Sequence, residues 1–273
     1  MVKILAGRTD RLRRTNLFLN FHQAILLCAV GTIAGALNAV AGGGSFISFP
    51  TLLFTGVQPI PANATNTLAL WLGATASGGA YRSRLNISRR VMIPLVVTSI
   101  VGGIGGAILL IKTPASTFLR VLPWLLLGAT LLFTFGKHLT RRISARVSSD
   151  APTKALVGAS IFELLVAVYG GYFGGGIGIM NLAMFAAMGM TDVHEMNALK
   201  TVLGAIINGV AAVTFVITGA ILWPQALAMT VGAVAGGYYG AHYAMKAPQS
   251  WIRAVVIVVG FAMSIYFFAH AYL

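Results

Sequence analysis

Apolar and polar positions fall in long blocks along this chain, not in strand-like alternation. Stretches of about 20 apolar residues, the length that crosses a bilayer as a helix, occupy Phe21–Ala41, Asn63–Tyr81, Val91–Ile111, Phe118–Phe135, Ala155–Phe173, Glu195–Thr218, Trp223–Ala244 and Trp251–Ala271. The pattern predicts an all-α polytopic membrane protein with these eight spans. Two further apolar pieces, Ser45–Gly56 and Ile177–Gly189, are too short to span, and each follows a glycine triplet. They fit re-entrant half-helices. Composition agrees: 9% of residues are charged, against roughly 25% in soluble domains.

The two halves are related. Asn63-Ala64-Thr65-Asn66-Thr67 aligns with Asn197-Ala198-Leu199-Lys200-Thr201 at an offset of 134. The same offset superposes Gly102-Gly103-Ile104-Gly105-Gly106-Ala107 on Gly236-Gly237-Tyr238-Tyr239-Gly240-Ala241. Gly42-Gly43-Gly44 matches Gly174-Gly175-Gly176 at 132. Such order points to an internal duplication, as in many transporters. The chain then divides into a basic tail (1–20), a first repeat of four spans (21–138), a basic linker (139–154) and a second repeat of four (155–273).

Charge sets the orientation. There are 19 basic and 5 acidic residues, a net +14. In a soluble protein that balance would suggest nucleic acid. Here the bases sit between apolar spans, which means positive-inside topology and contact with anionic lipid headgroups, not nucleic acid. The tail, the Arg82–Arg90 loop with four arginines, and the linker (Lys137, Arg141, Arg142, Arg146, Lys154) are all basic. Eight spans put all three in the cytoplasm, with both termini inside and parallel repeats. If each short segment crosses instead, there are ten spans in inverted 5+5 repeats, and the arginine loop lies outside. The N-terminus mimics a secretory signal, but its apolar run continues into Gly42-Gly43-Gly44, so it is read as an uncleaved span. The single cysteine, Cys28, rules out an intrachain disulfide and sits in a span as inert packing. Small-xxx-small pairs such as Gly31/Gly35, Gly102/Gly106 and Gly236/Gly240 are read as internal helix packing; no oligomer is implied.

Candidate chemistry gathers where the apolar blocks are interrupted. Glycine inside a helix costs about 1 kcal/mol relative to alanine. The run Gly170, Gly171, Gly174, Gly175, Gly176 and Gly178 should therefore break the helix and free backbone N–H groups. Those of Gly42, Gly43, Gly44 and of Gly174, Gly175, Gly176, with the positive ends of the following half-helices, suit an oxyanion. The plain alternative is a tight turn. Asn38 and Ser45 flank the first triplet as further donors.

Lys200 lies inside a span, where a lysine costs about 2.5–3.5 kcal/mol on insertion scales. Against snorkelling, it reads as a cationic contribution to an anion site, with Asn66 as its counterpart in the first half. Asn63, Thr67, Asn197 and Thr201 complete the paired motifs. Asp192 and Glu195 form a capping box more readily than a functional pair; Pro59 and Pro61 start the corresponding helix. His194 is interfacial. Glu163, an intramembrane carboxylate, either carries a proton or pairs with Lys200 or a loop arginine. Asn181, Asn197 and Asn208 line a path or bridge helices. There is no H-E-x-x-H, P-loop or serine elbow, and five scattered histidines give no metal spacing. No enzyme activity, cofactor or metal is expected.

On AGGGSFISFPTLL in the first half, and YGGYFGGGIGI with HEMNALKTVLGAIINGVAAV in the second, the chain resembles the sulfite exporter TauE/SafE family over Leu26–Leu273. The resemblance implies a multi-pass transporter of sulfur oxyanions or organosulfonates in a bacterial inner membrane. Export also fits electrically: leaving a negative cytoplasm releases roughly 2.3 kcal/mol per charge per 100 mV. The expectation is a secondary transporter, alternating in access, with its anion between the two glycine breaks. Lys200, Asn66, Asn63, Asn197 and Ser45 would surround that anion. A passive channel for small anions or neutral solutes is the alternative. An enzyme acting on lipid headgroups through Glu163 or His194 lacks the constellation it would need.

Overall fold

The computed structural model describes residues 19–40, 43–77, 88–143, 153–190, 193–243 and 249–272. Among them are ten helices and no strand: α1 Phe21–Val40, α2 Ser45–Phe54, α3 Pro59–Ser77, α4 Arg89–Lys112, α5 Ala115–Ile143, α6 Thr153–Tyr172, α7 Ile177–Ala187, α8 Val193–Ile217, α9 Trp223–Tyr243 and α10 Gln249–Tyr272. Five (α1, α4, α5, α8 and α10) are long and apolar enough to cross a membrane. The spans expected at α3, α6 and α9 form as helices but are less apolar or shorter in their apolar part. For α3 the reason is position: residues 61–70 are buried without interruption, so its asparagines and threonines meet protein. The outer helices present large apolar side chains to the surroundings, among them Ile93, Trp124, Leu165, Val231 and Val258. That surface suits lipid.

Backbone contact through glycine holds two seams together. On α9, a Cβ at Gly232 would strike the Cys28 carbonyl, one at Gly236 the Thr32 carbonyl, and one at Gly240 Ala36 of α1. On α4, Gly102 faces the Leu164 carbonyl and Gly106 the Val168 carbonyl of α6. Residue numbers rise together on both sides of each seam, so each pair runs parallel. Small residues permit this approach where lipid supplies no hydrophobic drive between helices.

Two other pairs run the opposite way. Trp71 Nε1 of α3 donates to the Ala205 carbonyl of α8 (3.0 Å), while Thr65 accepts from the Leu222 N–H just beyond α8 (3.1 Å). In α5 and α10, Tyr272 donates to the Arg120 carbonyl (2.9 Å), and the Trp124 ring packs edge-on against Phe268 at 4.8 Å. Further along, Gly260 abuts Thr130. Helices α3 and α8 carry the matching Asn-Ala-x-x-Thr motifs, and parallel repeats require them to run alike. They are antiparallel, so that expectation is not met.

Candidate functional site

Both helix breaks occur. Helix α1 ends at Val40 and α2 begins at Ser45; α6 ends at Tyr172 and α7 begins at Ile177. Gly43, Gly174 and Gly176 have φ of 97°, 85° and 82°, a conformation that side-chain-bearing residues adopt at a cost. Gly42 lies outside the described residues. Gly170 and Gly171 do not take part in the break: both remain in α6, packed on Ile207 and on the Gly103 backbone.

The first break is closed by its own side chains. Asn38 Oδ1 accepts from the Gly44 N–H at 2.8 Å, capping the entry to α2. Ser48 donates to Asn66 Oδ1 at 2.5 Å, and both are buried. Gly44 is pressed on the Ala34 backbone, and Ser45 is half-buried.

At the second break the arrangement is open. Ile179 and Met180 donate to the Gly176 carbonyl, whereas the N–H groups of Gly175, Gly176, Ile177 and Gly178 have no partner among the described residues. No side chain caps α7. The Lys200 stem lies on Gly178, its Cδ 3.1 Å from where a Cβ would sit, and Lys200 Nζ donates to Asn197 Oδ1 at 3.0 Å. An ammonium beside a helix N-terminus with free N–H groups is chemically an anion site.

The expected single cluster divides in two. From the Trp71–Ala205 contact, Asn66 lies five positions back along α3 and Lys200 five back along α8. Because the helices are antiparallel, the two side chains are separated by about 15 Å along the axes. Asn63 does connect the halves: its Nδ2 donates to the Tyr172 carbonyl at the end of α6 (3.0 Å). Thr67 and Thr201 bond the carbonyls of Asn63 and Asn197 in their own helices. Asn208 Oδ1 lies beside Gly174.

Glu163 is fully buried and accepts from Ser99 Oγ of α4 at 2.6 Å. Among the described residues it makes no ion pair, with Lys200 or with an arginine. Asp192 lies outside the described residues and so does the His194 side chain, leaving the capping box unobserved; Glu195 is half-buried. Sequence reasoning missed Ser99, which lies 64 positions from its partner. A groove of about 260 Å³ between α4 and α6 is aliphatic apart from Thr98 and Ser160, whose hydroxyls bond their own helices. It is a crease in the apolar surface rather than an ion site.

The family model described as sulfite exporter TauE/SafE matches residues 27–267. The chain belongs to the TauE/SafE family. Among curated relatives, a probable membrane transporter protein of Haemophilus influenzae is 30% identical over 211 residues, covering 76% of this chain and 78% of its own. The probable membrane transporter protein ORF9 of a Sinorhizobium species is 28% identical over 215 residues, 77% and 79% of the two chains. The probable membrane transporter protein YfcA of Escherichia coli is 26% identical over 210 residues, 75% and 74%. No solved structure matches. These relatives carry transporter names, and the chain is a multi-pass membrane protein of the TauE/SafE family.

Proposed function

We propose that this TauE/SafE member exports a small sulfur-containing anion, sulfite or an organosulfonate, from the cytoplasm, and that the anion sits at the second break. The observation that carries this is Lys200 lying against the uncapped N-terminus of α7. Asn197 orients the ammonium, and the Gly175–Gly178 backbone supplies neutral donors. This narrows the expectation of an anion shared by both breaks, since Asn66 and Lys200 lie about 15 Å apart along the helix axes.

The crossing directions support an inverted duplication of five segments per half. Strict up-and-down alternation through α1 to α10 makes α1/α9 and α4/α6 parallel and α3/α8 and α5/α10 antiparallel, as observed. Treating α2 and α7 as re-entrant would make the last two pairs parallel. The glycine contacts repeat in register as well: Gly102 on Leu164 corresponds to Gly236 on Thr32, and Gly103 on Ile207 to Gly237 on Gly73. With ten segments the arginine loop and the basic linker share one face, opposite the chain termini. Their larger basic load argues for that face in the cytoplasm of the inner membrane, which reverses the expectation of cytoplasmic termini and of an arginine loop outside in the ten-span arrangement. Alternating access then comes from the two halves rocking on their glycine seams.

Flux of sulfite and of a sulfonate from proteoliposomes tests the activity. Saturable flux supports the transporter, and flux linear in concentration indicates the channel instead. Single cysteines placed in the Arg82–Arg90 loop and at the C-terminus of a Cys28→Ala chain should label from opposite sides of the membrane; labelling from one side contradicts the ten-segment reading.

A further inference from the structure

We propose that Glu163, Ser99 and Asn181 form a buried proton-binding site where α6 of the second half packs on α4 of the first half and on α7. All three are fully buried. Glu163 Oε1 accepts from Ser99, while Glu163 Oε2 and both polar atoms of the Asn181 side chain are without hydrogen-bond partners. A buried amide with neither atom satisfied is rare in a folded protein.

The two residues lie on facing stretches of packed helices. At one end Gly170 of α6 meets Ile177 of α7, and Ile177 shares a cluster with Val166 and Ala167. At the other, Met184 and Phe185 share a cluster with Leu156 and Ala159. Helices α6 and α7 thus run antiparallel, which brings Asn181 within about one turn of Glu163 along the axes, with no hydrogen bond between them in the structure. Position 181 also continues the buried stripe 177, 184, 185, 188 of α7. Asn181 therefore belongs to the same interior as the free carboxylate oxygen.

The ligand is identified by the chemistry of the amide. Metal cations need only acceptors. Asn181 offers one acceptor and two donors, so it can accept from a protonated carboxyl or, after rotation, donate to an ionised one. It can serve Glu163 in either state, as a site that loads and unloads a proton requires. Other titratable groups on the packed elements stand apart. Helix α4 carries Arg89, Arg90 and Lys112 at its ends, and α7 carries none. Helix α8 carries His194 and Glu195 in its first turn and Lys200, whose ammonium is bonded to Asn197. On α6 itself are Lys154 at one end and Tyr169 nearly two turns beyond Glu163. The repeat-related place has no such site: the corresponding positions are Gly31, Ala233 and Phe49. Gly31 and Ala233 do meet there, at 3.2 Å from an added Cβ to the Ala233 nitrogen.

The proton site stands on its own geometry; only its coupling to the anion rests on the export reading. The test is infrared difference titration of the purified full chain in detergent, with wild type, Glu163→Gln, Asn181→Leu and Ser99→Ala. The expected result is a carboxylic-acid C=O band that titrates in wild type and is missing in Glu163→Gln. Its midpoint should move by about one pH unit, a tenfold change in proton affinity, in Asn181→Leu and Ser99→Ala, both of which keep the acid. A titrating band unchanged in Glu163→Gln overturns the site. Midpoints unchanged in both other variants remove Ser99 and Asn181 from it. In sulfite-loaded proteoliposomes, proton movement accompanying sulfite should vanish in Glu163→Gln. A wild type that moves sulfite with no proton overturns the coupling and leaves the site standing. A wild type that moves no sulfite counts against the export reading alone.

Discussion

The two glycine breaks arise at similar sequence, Gly42-Gly43-Gly44 and Gly174-Gly175-Gly176, and end in different chemistry. At the first, Asn38 closes the entry to α2 and Ser48 occupies Asn66. At the second, α7 begins uncapped and a lysine lies across its first turn. The first break engages the Gly44 N–H and Asn66 Oδ1 with side chains, while no side chain reaches the N–H groups at the second. The contrast extends inward, where the positions matching Glu163, Ser99 and Asn181 are Gly31, Ala233 and Phe49. Similar sequence at the two breaks thus carries different side-chain chemistry, and the proposed sites use the polar set.

The halves should behave alike at their seams. Gly236→Val and Gly106→Val each drive a side chain into a backbone carbonyl, and overpacking at a fixed backbone costs about 3 kcal/mol or more. Both variants should lose the monodisperse peak in size-exclusion chromatography. If one half tolerates its valine, the seams are not equivalent. Next in size is Gly178→Leu, which fills the surface on which Lys200 rests and copies the bulk that Phe46 provides in the first half. Sulfite affinity by calorimetry should fall more than tenfold with the fold retained; unchanged affinity would separate Lys200 from α7.

Smaller effects follow. Asn38→Ala removes a helix cap, typically worth about 1 kcal/mol. The unfolding midpoint in detergent should drop by a few degrees with sulfite affinity unaltered, because the first break holds no anion. A loss of affinity there would restore a shared site. The least effect is expected at Gly105, around which nothing lies within 4 Å of an added Cβ. Gly105→Ala should hold or raise stability by up to about 1 kcal/mol, unlike its neighbours Gly102, Gly103 and Gly106.

Much of the fold was legible because lipid-facing helices must be apolar along their whole length. The edges of α4 and α10 fall within two residues of those read from the sequence, and both breaks sit at their glycines. Direction was not legible. Hydropathy reports how long Ser45–Phe54 and Ile177–Ala187 are, and not whether each returns or crosses, so the parallel reading failed at α3 and α8. The motifs pair Asn66 with Lys200 in sequence, but the antiparallel crossing of α3 and α8 places the two apart. Ser99 gave no local signal: one serine in an apolar helix is unremarkable until α4 meets α6. In sequence Asn181 reads only as a polar residue that lines a path or bridges helices, since its lack of partners is a property of packing.

Calorimetric titration of sulfite into purified wild type, Lys200→Ala and Asn66→Ala tests the anion site most directly. Loss of a charge-assisted contact is worth about 1.5–3 kcal/mol, so Lys200→Ala should bind roughly 10- to 100-fold more weakly. Asn66→Ala should bind within about twofold of wild type, while unfolding at lower temperature because the buried Ser48–Asn66 hydrogen bond is lost. Full affinity in Lys200→Ala, or equal losses in the two variants, would contradict a site confined to the second break.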